Sequence, residues 1–132
     1  MAKKSIKKKI KKLPTLKKLQ KIADKLWQDT IRKLYKECAV CGAPMKLGHH
    51  FFAKHLSNKL RYNIKNGVPL CVKCHFKHHR SEDPFIIITI YKAIGENRFN
   101  YLLNISRTKV KINRQYYNNT IQELQTKLEE LS

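Results

Sequence analysis

"PLCVKCHFKHH", Pro69 to His79, is the stretch on which the reading of the whole chain turns. It places two cysteines and three histidines in a run shorter than an average helix. Cys71-x2-Cys74 is a chelating hairpin, short enough to bring two thiolates to one ion at about 2.3 Å, and Cys38-x2-Cys41 is another. The chain has four cysteines, so these two pairs use all of them. Together they predict a tetrahedral four-thiolate site for a structural Zn2+, with no position left for water or substrate. Such an ion contributes apparent binding energy of about 10–16 kcal/mol in small domains. That helps hold together a chain with few Gly and Pro turns.

The histidines are then in surplus. All six lie between Cys38 and Arg80. His75 and His79 are four residues apart, so a helix beginning near Val72 would put both imidazoles on one face. That makes half of a metal site. The remaining ligand must come from elsewhere, and "GHH", with His49 and His50, is the other histidine pair. His55 and His78 read as surface or phosphate-facing residues. The span from Gly42 to Leu70 exceeds the ~15–20 residues of a simple zinc ribbon, so further structure is inserted there.

Outside this centre the chain is strongly basic. Its 132 residues carry 29 Lys and Arg against 9 Asp and Glu, a formal charge of +20, and 42% of residues are apolar. That length supports one domain with a modest core. Self-repulsion of this size points to a polyanionic partner, nucleic acid before an anionic membrane surface. No apolar run approaches the roughly 20 residues that span a bilayer, and the N-terminus lacks the apolar segment of a signal peptide. A cytoplasmic protein with no membrane partner is expected. In that reducing compartment paired cysteines are metal ligands rather than disulfides.

The opening "MAKKSIKKKIKKLPTLKK" repels itself and resists packing, so residues 1–14 are expected to form a flexible basic arm and residues 15–132 a single domain. From Thr15 onward, Leu16, Leu19, Ala23, Leu26, Trp27, Ile31 and Leu34 fall at helical spacing. This predicts a basic amphipathic helix within 15–37, capped by Thr15, with Lys17, Lys18, Lys21 and Lys25 available to phosphates. Asp83 and Pro84 read as the N-cap and first residue of a helix over "FIIITIYKAIG", closed by Gly95. The same apolar run also suits a buried strand. "ENRFNYLLNISR" can form a short helix with Phe99, Leu102 and Leu103 on one side. Asn113 caps a last helix in which Tyr117, Ile121, Leu124, Leu128 and Leu131 form a heptad-like seam. The seam packs either on the chain's own N-terminal helix or on a second copy, which would make a homodimer.

The order "HH … N-G-V-P-L-C-x-x-C-H-x-x-x-H", His49 to His79, resembles the motif of the HNH nucleases in a zinc-stapled form. The resemblance covers roughly Cys38 to His79. Further segments, "KKLQKIADKLWQDTIRK", "GHHFF" with "LRYNIKN", and "SRTKVKINRQYYNNTIQELQTKLEEL", are similar to the NinG (Rap) recombination nucleases of lambdoid phages. The resemblance implies an α+β, mainly helical fold: a zinc-stapled ββα-metal core over 38–80, between the N-terminal helix and C-terminal helices over 83–132. It implies hydrolysis of DNA phosphodiesters, leaving 5′-phosphate and 3′-hydroxyl ends, on branched intermediates such as Holliday junctions or D-loops.

By the same resemblance His49, His75 and His79 hold a catalytic divalent ion and His50 is the general base. Strand alternation points neighbours opposite ways, so the helical pair can face His49 and leave His50 free for water. Asn66 is implied to bond loop backbone and steady the strand of the base; the alternative is a plain Asn-Gly turn residue. The ion is expected to be Mg2+ or Mn2+, although imidazole ligands also suit Zn2+ or Ni2+. Arg61 either grips the scissile phosphate with its planar fork or is a surface arginine. The alternative to an enzyme is a zinc module that binds nucleic acid without cutting it, its histidines acting as phosphate donors. RNA binding is disfavoured, because few exposed aromatics are available for base stacking.

Overall fold

The computed structural model describes residues 13–79 and 84–132, apart from the side chain of His79. The expected basic arm, up to Lys12, and the expected cap Asp83 lie outside the described residues. Within them the fold is mainly helical α+β: α1 Leu16–Leu34, β1 Leu47–His50, α2 Asn58–Arg61, a 3-10 turn Ile64–Asn66, β2 Gly67–Leu70, α3 Val72–His79, α4 Pro84–Ile94, α5 Glu96–Ser106 and α6 Arg114–Leu131. Among the described residues no helix is long and apolar enough to cross a membrane.

α1 begins at its predicted cap: Thr15 Oγ1 accepts from the Lys18 N–H at 3.2 Å, satisfying one of the donors that a helix start leaves open. Its buried face is Leu19, Ala23, Trp27, Thr30 and Ile31. The Thr30 hydroxyl donates to the Leu26 carbonyl at 2.7 Å, so the core strands no polar group there. α6 opens in the same way, with Asn113 Oδ1 accepting from the Tyr116 N–H at 2.8 Å. Tyr117 and Leu124 of α6 join Leu19, Ala23, Trp27 and Ile31 in one apolar cluster. The first part of the C-terminal seam therefore packs on the chain's own α1, and its buried residues are not available to a second copy. The two helices run in the same direction. Arg114 Nη1 donates to the Pro14 carbonyl at 2.6 Å where both begin, and Leu34 and Lys127 border one groove near their far ends.

The two strands form an antiparallel pair that matches Leu47 with Leu70, Gly48 with Pro69, His49 with Val68 and His50 with Gly67. Gly48 and Gly67 face α1 at very short range. A Cβ on Gly48 would lie 2.9 Å from Ile31 Cγ2, and one on Gly67 would lie 2.8 Å from Ile31 Cγ1 and 3.0 Å from Trp27 Cζ2. Glycine at these two positions lets a helix rest directly on strand backbone. Gln28 covers the outer edge of β1: its Nε2 donates to the Gly48 carbonyl and its Oε1 accepts the Gly48 N–H, each at 2.8 Å. Val68 and Leu70 point to the other face, into a second cluster with Cys38, Cys74 and Ile86, Ile90 and Ile94 of α4. "FIIITI" is thus helix, because residues four apart can bury one stripe against β2, and that packing outweighs β-branched propensity. Gly95, at φ +81°, turns α4 directly into α5.

Gly67→Ala is expected to cost about 1–3 kcal/mol in urea unfolding through overpacking against Ile31, with part recovered in Gly67→Ala/Ile31→Val. Gly42→Ala, where nothing lies within 4 Å but φ is +76°, should cost only the strain of about 1–2 kcal/mol and show no such recovery.

Candidate metal centre and histidine face

The hairpin brings the cysteines together. β2 ends at Leu70, so Cys71 opens the second knuckle, while the Ala39 N–H donates to the Pro69 carbonyl at 2.8 Å and ties the first knuckle to the same strand. The first knuckle closes through Cys38 N–H to the Ala43 carbonyl (2.7 Å) and Gly42 N–H to the Cys38 carbonyl (3.0 Å). The four Sγ atoms lie within 4.8 Å of one another, and Cys41 and Cys71 are 3.6 Å apart, sulfur to sulfur. A tetrahedral zinc with bonds of about 2.3 Å has S···S edges of about 3.8 Å, so the donor set fits that ion. Among the described residues it is the one group of three or more donor side chains drawn this close.

The thiols themselves favour a cation. Burial would raise Cys38, but N–H groups of Cys41, Cys71 and Val40 directed at its sulfur outweigh that and bring it down to about 7. Cys74 is pushed the other way, by burial and by the three neighbouring thiols. A dication among the four sulfurs would remove that conflict by stabilising every thiolate at once.

Alternation divides the histidine pair between the two faces of the hairpin. His49, opposite Val68, faces α3, and its ring meets His75 edge-on at 5.7 Å and His78 at 4.4 Å between centroids. α3 starts at Val72, the start that places His75 and His79 on one face. The His79 side chain lies outside the described residues. His78 is not a simple surface residue but part of this cluster, and its spacing of three from His75 was the available signal; His55 is exposed.

His50, opposite Gly67, faces α1. Its ring stacks on Trp27 at 3.8 Å with 10° between planes, and Nε2 lies 2.9 Å from the Arg61 carbonyl. A carbonyl only accepts, so Nε2 carries the hydrogen and the lone pair sits on Nδ1. Burial pushes the pKa of His50 down to about 4; the bond to the Arg61 carbonyl works against this, and the charges of Lys54 and Arg61 add to it. The ring is neutral at neutral pH. Nε2 and one ring face are already occupied, so Nδ1 is the nitrogen left with a lone pair to offer.

Asn66 is fully buried and does more than turn the chain. Its Oδ1 accepts the Phe52 N–H at 2.8 Å, its Nδ2 donates to the Phe52 and Leu60 carbonyls at 3.0 and 3.1 Å, and its own carbonyl accepts the Phe51 N–H at 2.9 Å. The loop leaving His50 is thereby pinned to the start of β2. Arg61 departs from both expectations for it: its Nε and Nη2 donate to the Asp24 carboxylate at 3.0 and 2.8 Å, locking α2 to α1, and its side chain is only 19% exposed. A fork already filled by a carboxylate is not offered to phosphate. Lys17, Lys18, Lys21 and Lys25 are exposed on α1, and Lys25 pairs with Asp29 at 2.8 Å. Trp27, Gln28 and Asp24 are the residues that sequence reasoning missed as partners of the site. They look like ordinary positions of an amphipathic helix, and only the tertiary contact marks them.

Metal analysis is expected to find one zinc per chain, and chelation or Cys71→Ser/Cys74→Ser to abolish the cooperative thermal transition; an unchanged melting curve after zinc removal would show that the thiolates hold no structural ion. For His50 the sign follows from its depressed pKa. The unfolded chain takes up the proton first, at about 6.5, so this contribution is complete above that pH and is lost as the pH falls toward 4. His50→Phe, which keeps the stack, should flatten that limb by about 1–3 kcal/mol in urea unfolding compared between pH 7 and 4.5.

Comparison with protein-family models, with curated proteins and with solved structures finds no match for this chain, so no relative assigns these side chains a role.

Proposed function

We propose that the chain is a metal-dependent DNA endonuclease of the HNH type, with a ββα-metal core. One observation carries this: His49 on the strand and His75 on the helix meet within the unit that the cysteines staple. Two imidazoles bound to one ion at about 2.1 Å have ring centres about 5 Å apart, close to the 5.7 Å between these rings. His79, one turn beyond His75, is the third ligand by resemblance. Mg2+ or Mn2+ is the proposed ion, and Zn2+ or Ni2+ also suits imidazole. Held by these imidazoles, a divalent ion would supply charge neutralisation for the phosphate and the leaving 3′ oxygen.

The chain's own groups do the rest. His50, fixed as the Nε2–H tautomer, offers Nδ1 as proton acceptor, and Asn66 holds the loop that follows it. The exposed lysines of α1 supply affinity for phosphates regardless of sequence. Branched recombination intermediates are the proposed substrate, by likeness to the NinG proteins. Pairing of two copies through Tyr117, Ile121 and Leu124 of the C-terminal seam is no part of this proposal, because these residues pack with α1.

A zinc module that binds DNA without cutting it is favoured by a different observation. Among the described residues, the histidine nitrogens do not draw together as the four sulfurs do. Plasmid nicking separates the two. With Mn2+ or Mg2+, the parent chain is expected to nick. His75→Ala should lose at least about 100-fold while DNA retardation survives, and His50→Phe should lose about 10²- to 10⁴-fold with folding intact. Retardation without nicking in any of these ions would leave only the binding module. Full activity in His50→Phe would make that ring a packing element and not the base.

A further inference from the structure

Where α1, the 3-10 turn, α5 and α6 come together, the surface opens into a groove of about 700 Å³. Its walls include Tyr35, Tyr62, Tyr101 and Tyr116. The chain has six tyrosines, so the fold collects most of them in a place that the scarcity of aromatics in the sequence did not suggest. A shallower recess shares Tyr35, Lys65 and Tyr101 with the groove and extends it toward Asn97 and Arg98.

The four rings are not equivalent. Tyr62 is buried, and Tyr116 is half-buried with its hydroxyl donating to the Asn58 carbonyl at 2.7 Å. Tyr101 is 40% exposed, and its hydroxyl accepts from Asn63 Nδ2 at 3.2 Å, which sets the plane of the ring. Lys65 Nζ lies over that ring, 4.6 Å from its centroid. Arg98 steadies the turn that carries Lys65, donating from Nε to the Lys65 carbonyl at 2.7 Å and from Nη2 to the Gly67 carbonyl at 2.6 Å. An oriented aromatic ring and an ammonium group lying over one of its faces therefore share a braced support.

We propose that this groove receives an unpaired nucleotide of a DNA strand, its base stacked on Tyr101 and its phosphate held by Lys65. The inference rests on the DNA reading above and adds a second binding site to it. A flat ring is a stacking platform for any base, and the flexible lysine that lies over it can swing to the phosphate as the base takes its place, a contact made without regard to sequence. Lys59 and Lys127 also line the groove, against a single acid, Glu123, whose carboxylate can accept from a base amino group. The volume suits a small organic ligand such as one nucleotide. The 3-10 turn links this place to the histidine face: Ile64 and Lys65 line the groove, while Asn66 pins the loop that leaves His50. A strand unpaired at a branch point would be held on the same turn that shapes the proposed cleavage site.

The test is fluorescence anisotropy with zinc-loaded protein, at raised salt and without added Mg2+ or Mn2+. The probes are a short labelled DNA single strand, the same strand with abasic sites in place of its bases, and a blunt duplex. The base-bearing strand is expected to bind about 5- to 100-fold more tightly than the abasic one. Tyr101→Ala should erase that preference without changing duplex affinity. Tyr101→Phe, which keeps the ring and loses only the bond to Asn63, should retain most of it. Equal binding of abasic and base-bearing strands, or an undiminished preference in Tyr101→Ala with zinc content and melting temperature unchanged, would overturn the proposal. Tighter binding of an RNA strand of the same sequence would overturn the assignment to DNA. These readouts need no cleavage, so a chain that never nicks plasmid can still pass, and one that nicks can still fail.

Discussion

Ile31 of α1 lies against the backbone of both strands at Gly48 and Gly67, and the placement of the histidines depends on that contact. A side chain at either glycine would lift the helix from the hairpin. With the helix seated, the register of the strands is fixed, because a slip of one residue would turn larger side chains onto Ile31 and Trp27. The register then decides which histidine goes where: His50 shares the α1 face with Gly67, and His49 shares the opposite face with Val68. Two adjacent residues of one type acquire different chemistry in this way. One is a half-buried neutral ring stacked on tryptophan, the other a member of a histidine cluster beside α3.

The core is split between two clusters on opposite faces of the hairpin, one built on α1 and α6, the other on β2, the knuckles and α4. Neither is large, which is the usual state of a short chain with so much charge. Cys38 and Cys74 lie within the second cluster, packed with Val68, Leu70 and Ile86, and Cys71 lies against it. A metal bound there would cross-link the two knuckles and order the strand between the clusters, so its effect would reach α1 through the hairpin. A site with all four positions filled by thiolates would in this way govern the geometry of the histidine face.

Much of this was legible in local patterns. Helix spacing and caps located α1 and α6, with Thr15 and Asn113 bonding as such residues do at helix starts. Cysteine spacing anticipated the four-cysteine cluster, and the helix considered for His75 and His79 does begin at Val72. What stayed hidden depends on contacts between residues far apart in sequence. Arg61 finds Asp24, His50 finds Trp27, and four tyrosines from different elements surround one groove. None has a local signature, because each partner serves a helix face or loop equally well on its own. His78 shows the same limit: its spacing from His75 was visible, but the approach of His49 from a strand was not.

The two basic residue types are put to different uses. Arg61 bonds the Asp24 carboxylate, Arg32 the Lys46 carbonyl, Arg98 the Lys65 and Gly67 carbonyls, and Arg114 the Pro14 carbonyl, so each guanidinium joins segments far apart in sequence, Arg32 also pairing with Asp29 within α1. Two lysine ion pairs, Lys25 with Asp29 and Lys127 with Glu130, stay within one helix on the surface. Geometry explains the division, since a guanidinium holds direction and an ammonium supplies mobile charge. The charge that opposes folding is thereby concentrated in side chains the fold does not need. A polyanion that neutralises them relieves repulsion without competing for any contact that positions the hairpin, and its affinity should respond to salt while the scaffold does not. Recognition of a particular DNA shape would then have to come from the rigid parts, where arginine has already fixed the turn between the groove and the histidine face.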